Sequence, residues 1–175
     1  MRQPKKSAAK VWSRFGPALA VLILALLVQF GGAKAIKILA PIDVLTAGMT
    51  ATFLRLSGMP VQRDAAVLSH PAGFSYEIYY KCTGLILILF LSAALLALPG
   101  RWSSKIMCLI FGAVLIFALN FLRLISLFYI GVHYPRAFDL FHGILWEIAM
   151  LGFVLGFWLL AMRRAGDRSA PITGN

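Results

Sequence analysis

Four long apolar stretches constrain this chain more than any other feature. A helix needs roughly 20 mostly apolar residues to cross about 30 Å of hydrocarbon, and the sequence reaches or approaches that length at 15–33, 83–98, 106–132 and 138–162. Pro99-Gly100 closes the second stretch, Asn120 and Arg123 interrupt the third, and the fourth carries His142 and Glu147. With 61% hydrophobic and only 13% charged residues, the chain lies well outside soluble domains, which average about 45–50% apolar and about 25% charged. The predicted fold class is therefore an all-α polytopic membrane protein, a single membrane domain over 1–175 with about four transmembrane helices and a short extracytoplasmic segment containing a predicted β-hairpin.

The 17 Lys and Arg against 6 Asp and Glu, a formal net charge of +11, have a different meaning in such a chain than in a soluble one. A nucleic-acid binder displays its basic groups on a water-exposed face, and these apolar runs leave no such face, so nucleic acid is not an expected partner. The partner read from composition is the lipid bilayer. Cytoplasmic flanks retain positive charge. Arg2, Lys5, Lys6, Lys10 and Arg14 precede the first stretch, Arg101 and Lys105 join the second and third, and Arg163, Arg164 and Arg168 follow the fourth. With four spans these segments share one side, so 1–14 and 163–175 are predicted as cytoplasmic tails. The opposite side, 34–82 together with the turn after 132, carries Lys34, Lys37, Arg55, Arg63, Lys81 and Arg136 against Asp43, Asp64, Glu77 and Asp139, and is nearly balanced. A cleaved signal peptide ending at Ala33-Lys34-Ala35 is the competing reading of the N-terminus; the first apolar stretch is long enough to span, and cleavage leaves the downstream topology unchanged.

Within the outer segment, 35–56 reads as an amphipathic helix at the membrane interface, with Ile36, Leu39, Val44 and Leu45 beside Lys37 and Asp43. Two strand-like runs follow, 61–68 and 74–80, separated by His70-Pro71-Ala72-Gly73, a turn-forming cluster. The hairpin delivers the chain to Cys82 from outside.

Ionisable groups inside a span cost about 2.5–3.5 kcal/mol on insertion scales and are functional candidates by default. Arg123 lies roughly 27 Å along its helix from Lys105, and His142 roughly 6 Å into the last span from its outer end. Cys82 opens the second span from outside, so three helices bring Cys82, Arg123 and His142 to a similar level. That is the set thiol chemistry requires. A cation lowers the cysteine pKa, a histidine takes the thiol proton and returns it to a leaving amine, and arginine offers five donors to an oxyanion. Asn120, three residues before Arg123 on the same helical face, is placed to orient the guanidinium or donate to the oxyanion.

Several residues have blander readings. Cys108 lies near the cytoplasmic end of the third span, out of reach of Cys82, and reads as a small buried hydrophobe. His70 and His133 read as loop residues, since no spacing supports a metal site; no metal or organic cofactor is predicted. Gly152 and Gly156 form G-x-x-x-G, read as close helix packing. Glu147 reads as a structural partner, and a non-enzymatic membrane assembly or transport subunit, with Arg123, His142 and Glu147 as a polar network, is the alternative reading.

Three blocks, Tyr80-Lys81-Cys82-Thr83-Gly84-Leu85, Asn120-Phe121-Leu122-Arg123-Leu124 and Phe141-His142-Gly143, resemble in order and depth the Cys, Arg and His blocks of the exosortase/archaeosortase family. The likeness covers about residues 60 to 160 and is greatest to the compact type called exosortase H; spans found in the common eight-span members are missing. The resemblance implies a membrane-embedded cysteine protease and transpeptidase of the bacterial inner membrane, its active site facing the periplasm or outside. It implies that Cys82 is a thioester-forming nucleophile, Arg123 the transition-state stabiliser and His142 the general acid/base, with Asn120 and Thr83 in support. Thr83 stands where many relatives have serine and keeps the hydroxyl. The implied partners are membrane-anchored protein substrates with a C-terminal sorting motif, a transmembrane helix and a basic tail.

Overall fold

The computed structural model describes the backbone of residues 4–167 and the side chains of 15–31 and 37–164. Arg2 and Arg168, and the side chains of Lys5, Lys6, Lys10, Arg14 and Lys34, lie outside the described residues. The fold is helical and polytopic, with one small sheet. Helices α1 (Pro4–Phe30), α2 (Gly32–Leu56), α3 (Leu85–Ala97), α4 (Trp102–His133), α5 (Phe138–Leu140) and α6 (Trp146–Asp167) enclose strands β1 (Gln62–Asp64), β2 (Val67–Ser69) and β3 (Ser75–Glu77). A 3-10 turn, Tyr80–Cys82, precedes α3, and a π-helical segment, Phe141–Leu145, joins α5 to α6. Residues 37–56, 102–133 and 135–164 form helices long and apolar enough to cross a membrane; 15–30 and 85–97 are shorter apolar helices.

Between α1 and α2 only Gly31 leaves the helix, and its backbone stays in the right-handed region at φ −67°, ψ −6°. The chain therefore does not reverse there: α1 runs beside α3, and α2 continues past it to pack on the 3-10 turn, β1, β2 and α4. The helix predicted over 35–56 forms, and its packed face is the small-residue one. Asp43, Thr46, Ala47, Thr50, Ala51 and Leu54 are buried, while Ile38, Leu45 and Leu56 are exposed. Small side chains allow the sheet and α4 to approach closely. The two threonines satisfy their own hydroxyls, Thr46 Oγ1 donating to the Ile42 carbonyl at 2.8 Å and Thr50 Oγ1 to that of Thr46 at 2.8 Å.

The expected hairpin is a three-stranded antiparallel meander, β1-β2-β3. The run 61–68 is not one strand, because Ala65 turns the chain at φ 48° and pairs Asp64 with Val67. The second expected run contributes only Ser75–Glu77, paired so that Leu68 faces Tyr76. The sheet closes an outer core in which Leu68, Ile78, Leu54, Leu124 and Phe128 pack around Cys82.

A second core of Leu91, Leu95, Ile116 and Met150 joins α3, α4 and α6. The close approach there is at Gly112, where a Cβ would lie 2.7 Å from Leu91 and 2.9 Å from Phe157. The packing expected at Gly152 and Gly156 is absent: a Cβ at either position would meet nothing within 4 Å. Spacing alone marks a small-residue ridge, and α6 turns this one away from the chain's other helices.

Candidate active site

The segment that carries Cys82 is fixed by local backbone geometry. After Glu77 the chain enters the 3-10 turn, with Cys82 N–H donating to the Tyr79 carbonyl at 2.6 Å and Thr83 Oγ1 to the Tyr80 carbonyl at 2.7 Å. Gly84 then adopts φ 77°, a left-handed conformation that glycine takes without steric cost, and α3 begins. A Cβ at Gly84 would lie 3.3 Å from the Asn120 Cβ, so the glycine also makes room for that side chain. Asn120, only 2% exposed, donates from Nδ2 to the Cys82 carbonyl at 2.8 Å. It thus holds the backbone of the cysteine rather than the guanidinium of Arg123, and its Oδ1 has no partner among the described residues.

One helical turn further along α4, Arg123 donates from Nη2 to the His142 carbonyl at 3.3 Å, while its buried Nε–H has no acceptor among the described residues. His142 sits in the π-helical segment, where Trp146 N–H bonds back to the Phe141 carbonyl; such bulges often occur at functional sites. The imidazole stacks on Phe138 with centroids 5.4 Å apart and planes 6° apart. Phe138 meets Phe74 edge-on at 5.3 Å, and Phe74 meets Phe128 at 5.8 Å. An aromatic chain therefore runs from the sheet to the histidine, and His142 Nε2 lies 4.0 Å from Cys82 Sγ. That is the outer limit of a sulfur contact, and pairs of this kind tighten when substrate binds.

The Phe74 ring lies against the bare α-carbon of Gly131, where any Cβ would overlap it. Gly131→Ala is therefore expected to displace Phe74 and destabilise the fold by about 1–3 kcal/mol, the usual cost of overpacking. Thermal unfolding in detergent measures it, and an unchanged midpoint would refute the packing assigned to this ring.

Burial pushes the Cys82 thiol up; the Arg123 guanidinium and hydrogen bonds from Tyr79 draw it down, and Asp43 opposes them. The Tyr79 hydroxyl is itself pushed up, first by the charge of Cys82 and then by burial. Tyr76, held by its hydroxyl donating to the Leu124 carbonyl at 3.0 Å, is also raised, chiefly by burial.

The structure thus gathers Cys82, Thr83, Asn120, Arg123 and His142. Glu147, exposed on α6, forms no ion pair among the described residues, although its charge reaches His142. Cys108 is a free thiol beside the inner core. The His70 ring accepts from Ala72 N–H at 3.1 Å within its own turn, and His133 stacks on Tyr129. Tyr79, Phe138 and Asp43 were not anticipated as neighbours of the site. An aromatic four residues before His142 was a readable signal for Phe138; nothing in the sequence paired Asp43 with Cys82.

No curated protein and no solved structure matched the chain in comparison. A family model described as transmembrane exosortase (Exosortase_EpsH) matches residues 7–162, nearly the whole sequence and all three blocks of the site. The chain belongs to the transmembrane exosortase family.

Proposed function

We propose that this protein is a cysteine-type transmembrane sorting peptidase and transpeptidase, a specific form of the membrane protease or transpeptidase role that family membership supports. The observation that carries the reading is the juxtaposition of Cys82 Sγ and His142 Nε2 at 4.0 Å, with Arg123 fixed on the His142 main chain.

In the proposed reaction the Cys82 sulfur attacks the scissile carbonyl carbon as His142 Nε2 takes the thiol proton. Arg123 N–H groups not spent on the His142 carbonyl stabilise the oxyanion. Collapse breaks the C–N bond, and His142 returns the proton to the leaving amine, which departs with the substrate's transmembrane helix and basic tail. The thioester left on Cys82 is then attacked by an amine, or by water, which loses its proton to His142; the C–S bond breaks and Cys82 is reprotonated. Asn120 and Thr83 hold the turn that presents the sulfur.

In the proposed topology α1, α3, α4 and the α5–α6 helix cross the bacterial inner membrane, and α2 and the sheet stand on the outer side with the site. A substrate helix anchored in the same bilayer then searches in two dimensions, at raised local concentration. Strand β3 has a sheet neighbour on one side only, and its other edge is suited to pairing with an extended recognition motif. Against the alternative of a non-enzymatic polar network, Glu147 is exposed and forms no ion pair with Arg123 or His142 among the described residues, although its charge reaches His142.

Hydroxylamine tests the covalent step. Added to enzyme and substrate, it is expected to intercept the thioester and leave a hydroxamate at the new C-terminus of the processed protein. Processing that continues with no hydroxamate formed would contradict the thioester.

A further inference from the structure

Helix α2 packs its small-residue face and turns an apolar one outward. Leu45, Met49 and Phe53 recur every four residues and so form one ridge along the helix, and all three are exposed. In the next row Gly48 and Thr52 are small, and the ridge therefore borders an open groove of about 680 Å³, to which α4 contributes Phe121. Phe121 meets Phe53 edge-on with centroids 5.7 Å apart.

Two cations line the same groove, Arg55 from the last turn of α2 and Arg63 from β1. Arg55 Nε donates to the Val61 carbonyl at 3.2 Å, and Arg63 Nη1 to the carbonyls of Val44 and Ala65, each at 3.3 Å. The Arg63 guanidinium lies over Gly48, where a Cβ would be 3.5 Å from Nη1. These bonds orient both side chains and use no carboxylate. Among the described residues Arg55 keeps both Nη groups, Arg63 keeps Nε and Nη2, and neither forms an ion pair. Unneutralised guanidinium forks beside an apolar groove suit a ligand that is anionic at one end and hydrocarbon at the other.

We propose that this groove binds an acidic phospholipid of the surrounding bilayer, with its phosphate between Arg55 and Arg63 and an acyl chain along Leu45, Met49 and Phe53. Residues 37–56 are apolar enough to enter a membrane, and basic pockets beside membrane helices recruit acidic headgroups. A second copy of the chain is a poor occupant, since it carries +11 with only six acids, of which Asp43 is buried. The two arginines already join β1 and its approach to α2, so the phosphate braces the wall formed by Ala47, Ala51, Leu54 and Val61 of the outer core. The inference does not depend on the peptidase reading.

Full-length protein in neutral detergent tests it by native mass spectrometry and thermal unfolding, with phosphatidylglycerol, phosphatidylcholine of the same acyl chains and inorganic phosphate as probes. Phosphatidylglycerol is expected to stay bound and to raise the unfolding midpoint, and the other two are not. Arg55→Gln with Arg63→Gln should weaken phosphatidylglycerol binding about tenfold or more. Arg163→Gln with Arg164→Gln, an equal loss of charge from exposed residues near the end of α6, should leave it unchanged. Because Arg55 and Arg63 also hold the sheet, Leu45→Gln with Met49→Gln gives a second reading with both arginines intact, and should weaken the same lipid several-fold. Equal losses in the two arginine pairs would reduce the effect to net charge. Equal stabilisation by the two lipids, or by inorganic phosphate alone, would remove the headgroup or the chain from the recognition. Binding untouched by the groove variants would put the lipid elsewhere. Each of these three results overturns the proposal.

Discussion

Cys82→Ala is expected to abolish processing of a co-expressed substrate bearing a C-terminal motif, transmembrane helix and basic tail, while Cys108→Ala processes it at the parental rate. Removing the nucleophile of a covalent hydrolase costs as much as about 10⁶ in turnover, so no product should be visible on a blot of whole cells. The two cysteines make an internal control. Cys82 lies 4.0 Å from an imidazole, whereas Cys108 packs beside the apolar core of α3, α4 and α6. Both variants remove a thiol, and only one removes a thiol with a proton acceptor beside it. Cys82→Ala also leaves the turn's main-chain bonds intact, since Asn120 holds the Cys82 carbonyl and not its side chain. Comparable accumulation of the two variants in membranes makes the comparison one of chemistry rather than of folding.

The second large effect is expected at Arg123. Arg123→Lys keeps a positive charge but loses the planar fork that serves the His142 carbonyl and an oxyanion together. Loss of one oxyanion donor typically costs about 10²–10³ in turnover, and processing by the lysine variant should fall by at least that factor. The slowing should appear in single-turnover acylation and not in substrate capture, because the interaction forms only as charge develops on the carbonyl oxygen. A lysine variant that bound substrate weakly yet processed bound substrate at the parental rate would assign Arg123 to recognition instead.

Much of this site is legible in the sequence because a membrane makes polar residues conspicuous. Asn120, Arg123 and His142 interrupt apolar helices, and helical rise alone brings Arg123 and His142 to the level of Cys82. The structure joins them, Asn120 to the Cys82 carbonyl, Arg123 to the His142 carbonyl and Cys82 Sγ to His142 Nε2, which depth alone does not determine. The parts that were not legible depend on faces and turns. In α2 Val44 and Leu45 are exposed, as an interfacial helix requires, but the pattern does not announce that the opposite, small-residue face is packed, since close approach of the sheet and α4 favours Ala and Thr over Leu. The first expected strand is broken by Ala65 at positive φ, a conformation that an alanine in a strand-like run does not announce. Gly152 and Gly156 have the spacing of a packing motif, but the close helix crossing is at Gly112, which has no such spacing. Asp43 was invisible as a neighbour of the site because a carboxylate on an amphipathic helix is ordinarily on its solvated face. Only the tertiary fold turns it toward Tyr80 and Cys82.

The central claim is that Cys82 carries the acyl group, and mass spectrometry of the acid-quenched enzyme tests it most directly. Full-length protein mixed with substrate in lipid and quenched within a turnover should yield a Cys82 peptide extended by the substrate's new C-terminal residues and sensitive to hydroxylamine, with Cys108 unmodified. Substrate turned over with Cys82 unmodified at every quench time, and equally well by Cys82→Ala, would contradict it.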